Sequence, residues 1–160
     1  MCGIVGYIGF RRACERVLEG LQRLEYRGYD SSGVAVLDHE GQLSVQKSAG
    51  RLTNLEALVD KDRPDSSIGI GHTRWATHGP PTDGNAHPHL GGGCAKGQGH
   101  SVAVVHNGVV ENYQKIKARL EVEGYVFRSE TDSEVIAHLI DSCLKQILSA
   151  GPHLTDDITD

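Results

Sequence analysis

Long hydrophobic runs are missing from this sequence of 160 residues. No stretch approaches the roughly 18 consecutive apolar residues of a membrane span, and no basic segment precedes the short apolar run after Cys2, so a secretory signal is not expected. A basic excess is also absent, because 16 Lys and Arg stand against 21 Asp and Glu. This balance argues against nucleic acid or an anionic membrane as the main partner. We therefore expect a cytoplasmic enzyme or ligand-binding protein.

Paired cysteines are missing as well. The four cysteines stand at positions 2, 14, 94 and 143, and no CxxC pair occurs. This spacing suits neither a structural zinc site nor a disulfide framework. Glycine, in contrast, is abundant: 20 of the 160 residues are glycine, whereas glycine makes up roughly 7% of an average protein. This abundance indicates many tight turns or close backbone contacts.

The first half of the chain alternates short apolar runs with amphipathic helical patterns. The expected elements are a strand over Cys2–Gly9, a helix near Arg11–Tyr26, a hairpin of Gly33–Asp38 and Gln42–Lys47, a helix marked by Leu52, Leu55 and Val59, and a strand over Ile68–Thr73. A long irregular stretch then follows from Trp75 to about His100. A connection of this length inside a compact domain is usually functional or disordered, and its polar start favours function.

The second half contains another apolar run and two helical patterns. The expected elements are a strand over Val102–Val105, a helix with Tyr113, Ile116 and Leu120 on one face, and a strand-like segment Tyr125–Arg128. A last helix is expected to begin with a capping box formed by Thr131 and Glu134 and to run to about Leu148. Its inward-facing residues would be Val135, Leu139, Cys143 and Ile147. Residues 149–160 are expected to be an unstructured tail. Strand-rich halves with a few helices predict an α+β layered domain.

Cys2 is the first candidate for chemistry. Removal of Met1 would place a free α-amine and a thiol on the same residue, with reference pKa values near 8 and 8.5. Such an amine can act as the base that activates its own side chain. The alternative interpretation is a small buried hydrophobic residue at the start of a strand.

Asn107 and Gly108 follow the expected strand over Val102–Val105. An amide NH2 beside a glycine N–H provides two donors that can converge on one oxygen, as stabilisation of an oxyanion requires. An ordinary strand-ending Asn-Gly turn is the alternative. The segment HTRWATHG follows another strand, and the planar fork of Arg74 suits a ligand carboxylate; pairing with a surface acid is the alternative for this residue.

Two further segments leave alternatives open. The histidines of NAHPH, with Cys94 and His100 beyond them, allow a zinc hypothesis, but their spacing matches no regular ligand pattern. The glycine-rich segment Gly91–Gly99 lacks the G-K-[ST] of a phosphate-binding loop and is interpreted as a surface insertion. Asp132 opens the last helix, where it could act through the helix dipole or receive a ligand ammonium.

Taken as a set, the segments CGIVGY, EYRGYDS, HTRWATHG, NAHPH, VVHNGVVEN and SETDSE resemble a known family. In this order, from residue 2 to about residue 138, they are similar to the glutaminase domain of the glutamine–fructose-6-phosphate aminotransferases. These are class II amidotransferases with an N-terminal nucleophile (Ntn). The resemblance implies an Ntn-hydrolase-type αββα sandwich over residues 1–160. It also implies L-glutamine as the substrate, no metal and no organic cofactor.

The resemblance assigns roles to individual positions. Cys2 would be the nucleophile, Asn107 and Gly108 the oxyanion hole, Arg74 the partner of the substrate carboxylate and Asp132 that of its ammonium. The remaining assignments are Trp75, Thr77 and His78 beside the substrate, and Arg27, His87 and His106 as supports behind the site. A γ-glutamyl thioester would be hydrolysed to glutamate, and the ammonia would serve glucosamine-6-phosphate synthesis from fructose-6-phosphate in the hexosamine pathway.

Family members continue with further strands of the two sheets and with sugar-phosphate isomerase domains. We therefore expect a sandwich that is incomplete at its C-terminus, no sugar-phosphate site in these residues, and any homodimer to form through the absent domains. Two alternatives to the glutaminase stay open. One is a non-catalytic remnant that needs a longer chain or a partner, and the other is a small His-rich metal-binding domain.

Overall fold

The computed structural model describes residues 2–62, 66–75, 79–92 and 100–149. Its strands are β1 (Gly3–Ile8), β2 (Ser31–Asp38), β3 (Leu43–Ala49), β4 (Ser66–Arg74), β5 (His89–Gly92) and β6 (His100–Val104). Its helices are α1 (Ala13–Leu24), followed by a 3-10 turn over Glu25–Arg27, α2 (Leu52–Asp62), α3 (Tyr113–Val122) and α4 (Glu134–Ser149).

The first four strands form one antiparallel sheet in the order β1-β4-β2-β3. Helix α1 covers one face of this sheet because its apolar residues recur every three or four positions and so share one side. Ala13, Val17 and Leu21 are fully buried, and they join Val34 and Val36 of β2 in the main core. The expected strand, helix and hairpin of this half are confirmed.

Strands β5 and β6 form a second, two-stranded antiparallel sheet. Two glycines let the layers approach closely. A Cβ on Gly33 of β2 would collide with the carbonyl oxygen of His87, which precedes β5. A Cβ on Gly91 of β5 would collide with the carbonyl oxygen of Ala137 in α4. The order of layers is therefore helix, sheet, sheet, helix, and the expected α+β sandwich is confirmed.

The structure of the second half of the chain differs from four predictions made from the sequence. Strand β5 lies inside the stretch expected to be irregular. Its two glycines, Gly91 and Gly92, are poor strand formers, and the alternating pattern of a strand is therefore missing. The segment Tyr125–Arg128 is not a strand, since the backbone N–H of Arg128 donates to the Glu134 carboxylate at 2.9 Å instead of to a neighbouring strand.

The last helix begins at Glu134, and its buried face differs from the expected one. Val135 is buried as expected, but Cys143 and Ile147 are exposed. The buried face also includes polar residues, namely His138, Asp141 and Ser142. Polar residues on a buried face do not contribute to apolar periodicity, so the sequence pattern predicts a buried face that is offset by about one residue position.

The expected capping box is also wrong. Thr131 does not cap the helix; its hydroxyl contacts the Ser129 hydroxyl at 3.0 Å and the ring of His89 at 2.9 Å. The Glu134 carboxylate accepts hydrogen bonds from the backbone N–H of Ser129 at 2.7 Å and from its hydroxyl at 2.6 Å. Glu134 therefore ties down the loop that precedes the helix.

Two expectations lie outside the described residues. These are the unstructured tail, apart from its first residue, and the surface insertion beyond Gly92. Within the described part of the chain, no helix is both long and apolar enough to cross a membrane.

Candidate active site

The Cys2 thiol lies where the first and fourth strands meet. Gly3 pairs with Thr73 across the sheet, so the residue before Gly3 lies beside the end of β4. The backbone N–H of Trp75 donates to the Cys2 sulfur at 3.3 Å, and the sulfur lies 3.7 Å from the Trp75 carbonyl oxygen. The sheet register therefore holds a partly buried thiol against a backbone N–H, a donor that can stabilise negative charge on the sulfur.

The side-chain amide of Asn107 lies beside the same residue. Its Nδ2 donates to the Cys2 carbonyl oxygen at 3.4 Å, and its Oδ1 lies 2.8 Å from Nε2 of His72. Asn107 and Gly108 follow β6 and come from the second sheet, whereas Cys2 and His72 belong to the first. The two sheets thus bring together the thiol and the two donors that the sequence predicts for an oxyanion.

These groups open onto one cavity of about 450 Å³, a volume that suits a small ligand. Its lining is formed by Cys2, Arg27, His72, Arg74, Trp75, His87, His106, Asn107, Gly108, Thr131, Asp132 and Ser133. Nine of the eleven site residues predicted from the sequence are among them. The other two, Thr77 and His78, lie outside the described residues.

Two opposite charges lie in the cavity wall. Arg74 is 5% exposed and donates to the carbonyl oxygens of Pro80 at 3.3 Å and Gly79 at 3.4 Å. Burial lowers the pKa of Arg74 from its ordinary value, while the charge of Asp132 acts in the opposite direction. An arginine remains protonated under such conditions. A cation and an anion in one small cavity can hold the carboxylate and the ammonium of an amino acid.

Asp132 is 8% exposed and is held by two donors. The backbone N–H of Val110 donates to Oδ2 at 2.6 Å, and the Ser133 hydroxyl donates to Oδ1 at 3.3 Å. The same hydroxyl lies 3.1 Å from Nδ1 of His106. These contacts join the start of α4 to the loop that contains Asn107 and Gly108.

Three buried histidines stand behind the cavity. The rings of His72 and His87 stack with centroids 4.3 Å apart, and the ring of His89 meets that of His87 edge-on at 4.4 Å. Burial lowers the pKa of His72 to about 4 and that of His89 to about 3, and it lowers the pKa of His87 as well. All three rings are therefore neutral at pH 7, and we call this group the histidine column.

The histidine column does not form a metal site. Nδ1 of His87 accepts the backbone N–H of His106 at 3.3 Å, and Nε2 of His89 bonds to the Thr131 hydroxyl at 2.9 Å. Across the ranges that the structure describes, no group of three or more His, Cys, Asp or Glu side chains could hold a metal ion. Cys94, which belonged to that hypothesis, lies outside these ranges.

The sequence did not predict roles for His72, Val110, Thr131 and Ser133. His72 stands inside the HTRWATHG segment, so the motif contained the signal, but only its arginine and aromatic residues suggested chemistry. Val110 acts through its backbone N–H, which the sequence does not reveal. For Thr131 and Ser133, the sequence pattern indicates only the start of a helix.

Comparisons with known proteins find similar sequences and a similar fold. The sequence pattern of the family described as "Glutamine amidotransferase domain" matches residues 94–155. The chain is 57% identical over 141 residues to the glutamine–fructose-6-phosphate aminotransferase [isomerizing] of Caldanaerobacter subterraneus subsp. tengcongensis, covering 88% of this chain and 22% of that protein. It is 48% identical over 159 residues to the protein of the same name from Clostridium perfringens, covering 96% of this chain and 25% of that protein.

A solved structure shares the fold. The glutamine phosphoribosylpyrophosphate amidotransferase of B. subtilis superposes with a TM-score of 0.72 at 28% identity, covering 94% of this chain and 33% of that chain. The chain has the fold of the Ntn-hydrolase-type glutamine amidotransferases and is similar to them in sequence. Within that class it is similar to the glutaminase part of the glutamine–fructose-6-phosphate aminotransferases. The chain spans about a quarter of the length of the curated relatives that it matches.

Proposed function

We propose that this chain hydrolyses the side-chain amide of L-glutamine, with Cys2 as the nucleophile. One observation carries the proposal: the Cys2 thiol, the Asn107 amide and the opposite charges of Arg74 and Asp132 line a single cavity. An amino acid held at both charged ends by Arg74 and Asp132 would present its side-chain amide to the thiol. The fixed cation and anion favour a zwitterionic ligand over one with a single charge.

In the proposed first half-reaction, Sγ of Cys2 attacks the side-chain carbonyl carbon of glutamine. The thiol proton passes to the α-amine of Cys2, which is free once Met1 has been removed. The carbonyl oxygen becomes an oxyanion, stabilised by Nδ2 of Asn107 and the N–H of Gly108. The α-amine then gives its proton to the departing nitrogen, the C–N bond breaks, and ammonia leaves a γ-glutamyl thioester on the sulfur.

In the second half-reaction, water attacks the thioester carbon while the α-amine accepts a proton from it. The C–S bond breaks, the sulfur regains a proton, and glutamate leaves. Trp75 is assigned to cover the bound substrate, since its side chain is 43% exposed at the cavity edge and packs edge-on against Tyr29. Arg27, His87 and His106 are assigned to support the site, and Thr77 and His78 stay predictions.

The relatives' name suggests where the ammonia goes. We propose that it is used to make an amino sugar from fructose-6-phosphate, at isomerase domains that belong to a longer chain or to a separate partner. Without such an acceptor, the chain would release free ammonia with each glutamate.

The experiment is covalent labelling of the purified chain with a diazo-ketone analogue of glutamine, followed by intact mass and peptide mapping. One adduct on Cys2, with Met1 absent, is the expected result. Cys143 is exposed and Cys14 is buried, so an unmodified Cys143 shows that the pocket, not thiol accessibility, directs the reaction.

The matched variants are Cys2→Ala and Cys143→Ala. We expect glutamate release to disappear in the first variant and to stay at the level of the unmodified chain in the second. Equal glutamate release by Cys2→Ala and the unmodified chain would contradict the proposal. An unlabelled chain that has lost Met1 would contradict it too, and would favour the non-catalytic remnant.

A further inference from the structure

His72 holds the amide that is assigned to the oxyanion. It lies on β4, is 1% exposed, and its Nε2 is 2.8 Å from Oδ1 of Asn107. A carbonyl oxygen of an amide only accepts hydrogen bonds. A contact this short is therefore favourable only if His72 carries its proton on Nε2 and donates it.

The orientation of the Asn107 amide depends on this donor. An asparagine amide rotated by 180° exchanges its oxygen and nitrogen with little change in shape. In the rotated form, Oδ1 would face the Cys2 carbonyl oxygen, and two acceptors would oppose each other. The NH2 group would then turn away from Cys2 and from any oxyanion formed there. The His72 donor and the Cys2 acceptor both favour the orientation that points the NH2 group at the reacting centre.

The surroundings of His72 favour the same protonation state. Its Nδ1 is buried, and no hydrogen-bond partner for it occurs within the described ranges, so a proton there would be an unsatisfied donor. Burial, together with the nearby charge of Arg74, opposes a second proton on the ring and lowers the pKa of His72 to about 4. The ring is therefore neutral and carries a single N–H proton, on either Nδ1 or Nε2.

A second histidine fixes the same loop from the same side. His87, stacked on His72, accepts the backbone N–H of His106 through Nδ1. His72 and His87 therefore contact two consecutive residues of the loop, one through a side chain and one through the backbone. This loop contains both of the proposed oxyanion donors.

We propose that His72 is a positioning residue that, as the neutral ring with its proton on Nε2, holds the Asn107 amide with its NH2 group facing the nucleophile. The inference rests on the proposed function, because the oxyanion role of Asn107 belongs to it. It adds that Nε2 of His72 must be a hydrogen-bond donor, which glutamine hydrolysis by Cys2 does not by itself require.

The test compares His72→Gln with His72→Asn. The amide nitrogen of glutamine reaches about as far as Nε2 of histidine, whereas that of asparagine reaches only as far as Nδ1. We expect glutamine hydrolysis by His72→Gln to keep kcat within about threefold, and His72→Asn to lower kcat by about 10- to 100-fold with a small change in KM. Equal loss in both variants, or no loss in His72→Asn, would overturn the proposal.

A double-mutant cycle separates positioning from general damage to the fold. In an Asn107→Ala background the amide is gone, so His72→Asn should lower kcat by less than about threefold more. Loss of the full 10- to 100-fold in that background would show that His72 acts on something other than Asn107, and would overturn the proposal.

A spectroscopic readout does not depend on catalysis. Long-range ¹H–¹⁵N correlation spectra of the unmodified chain at pH 7 distinguish the two neutral forms of a histidine ring and its charged form. We expect the His72 signals of a neutral ring protonated on Nε2. A ring protonated on Nδ1, or a charged ring, would overturn the inference even if glutamine is hydrolysed. If the unmodified chain hydrolyses no glutamine, the proposed function fails while these spectra still decide the state of His72.

Discussion

The carboxylate of Asp132 accepts a 2.6 Å hydrogen bond from the backbone N–H of Val110, two residues beyond Gly108. The group assigned to the substrate ammonium therefore also holds the loop that carries the proposed oxyanion donors. With this assignment, one side chain would contribute a charge to binding and a fixed acceptor to the geometry of the proposed reaction. The two contributions can be separated by substitution.

We predict that Asp132→Asn and Asp132→Ala differ in kcat more than in KM. Asparagine removes the charge but keeps an oxygen that can accept the Val110 N–H, so KM for glutamine should rise while kcat changes little. Loss of a charged hydrogen bond costs about 1.5–3 kcal/mol, or roughly 10- to 100-fold in kcat/KM. Alanine removes both contributions, so kcat should fall by about a further tenfold.

Steady-state glutamate release over a range of glutamine concentrations gives both constants. Identical kcat values for the two variants would show that the contact with Val110 does not position the loop. A KM for Asp132→Asn equal to that of the unmodified chain would exclude this carboxylate as the ammonium site.

A second prediction concerns the contact between the sheets. Gly33→Ala places a methyl group against the carbonyl oxygen of His87, so the layers must move apart. We expect it to lower the free energy of unfolding by about 1–3 kcal/mol. We also expect it to lower kcat, because the displaced His87 contacts the loop before Asn107. Urea unfolding and glutamate release measure the two effects.

Gly6→Ala is the matched control for this substitution. Gly6 is also a strand glycine of the first sheet, but nothing lies within 4 Å of the Cβ that alanine would add there. Its effect on the free energy of unfolding should stay within about 0.5 kcal/mol. Equal destabilisation by the two variants would mean that the layers yield to the methyl group and that the close approach is not required.

An element of this fold was predictable from the sequence where its residues form a recognisable pattern. Helix α1 was predictable because its buried residues are apolar and recur with the period of a helix. Strands β1 to β4 were predictable because short runs containing Val and Ile are visible in a sequence, although Ile4, Ile8 and Ile68 are exposed. Strand β5 was not predictable because it contains glycines. The buried face of α4 was not predictable because it includes His138, Asp141 and Ser142. The polar residues on this face of α4 make hydrogen bonds, such as the one that the Tyr125 hydroxyl donates to Asp141 at 2.7 Å.

The residues of the candidate site also include some that the sequence predicts and some that it does not. Side chains with a distinctive chemistry, such as Cys2, Arg74 and Asn107, were predictable from their residue type and from the resemblance to a family. His72 was harder to predict as a support than His87, because its stacking on His87 depends on the packing of β4 against the segment before β5. A backbone donor such as that of Val110 has no signal in the sequence at all.

The final prediction is a loss of stability in mild acid, caused by the histidine column. Its folded-state pKa values are lowered by burial, to about 4 for His72 and about 3 for His89, against 6.5 for an ordinary histidine. The unfolded chain therefore binds more protons than the folded chain as the pH falls below about 6.5. Stability is fully present above that pH and declines as the pH falls towards 4.

Each histidine of the column contributes a slope of about 1.4 kcal/mol per pH unit, so all three together approach about 4 kcal/mol per pH unit near pH 5. The lowered pKa of Glu134 acts in a separate range, because its stabilisation declines only as the pH falls below about 4.5. Urea unfolding at pH 7.5, 6.5 and 5.5 should therefore isolate the histidines. His89→Gln should reduce the slope by about a third, since it removes one of the three rings. A stability that does not change between pH 7.5 and 5.5 would show that the three rings are not neutral and buried together.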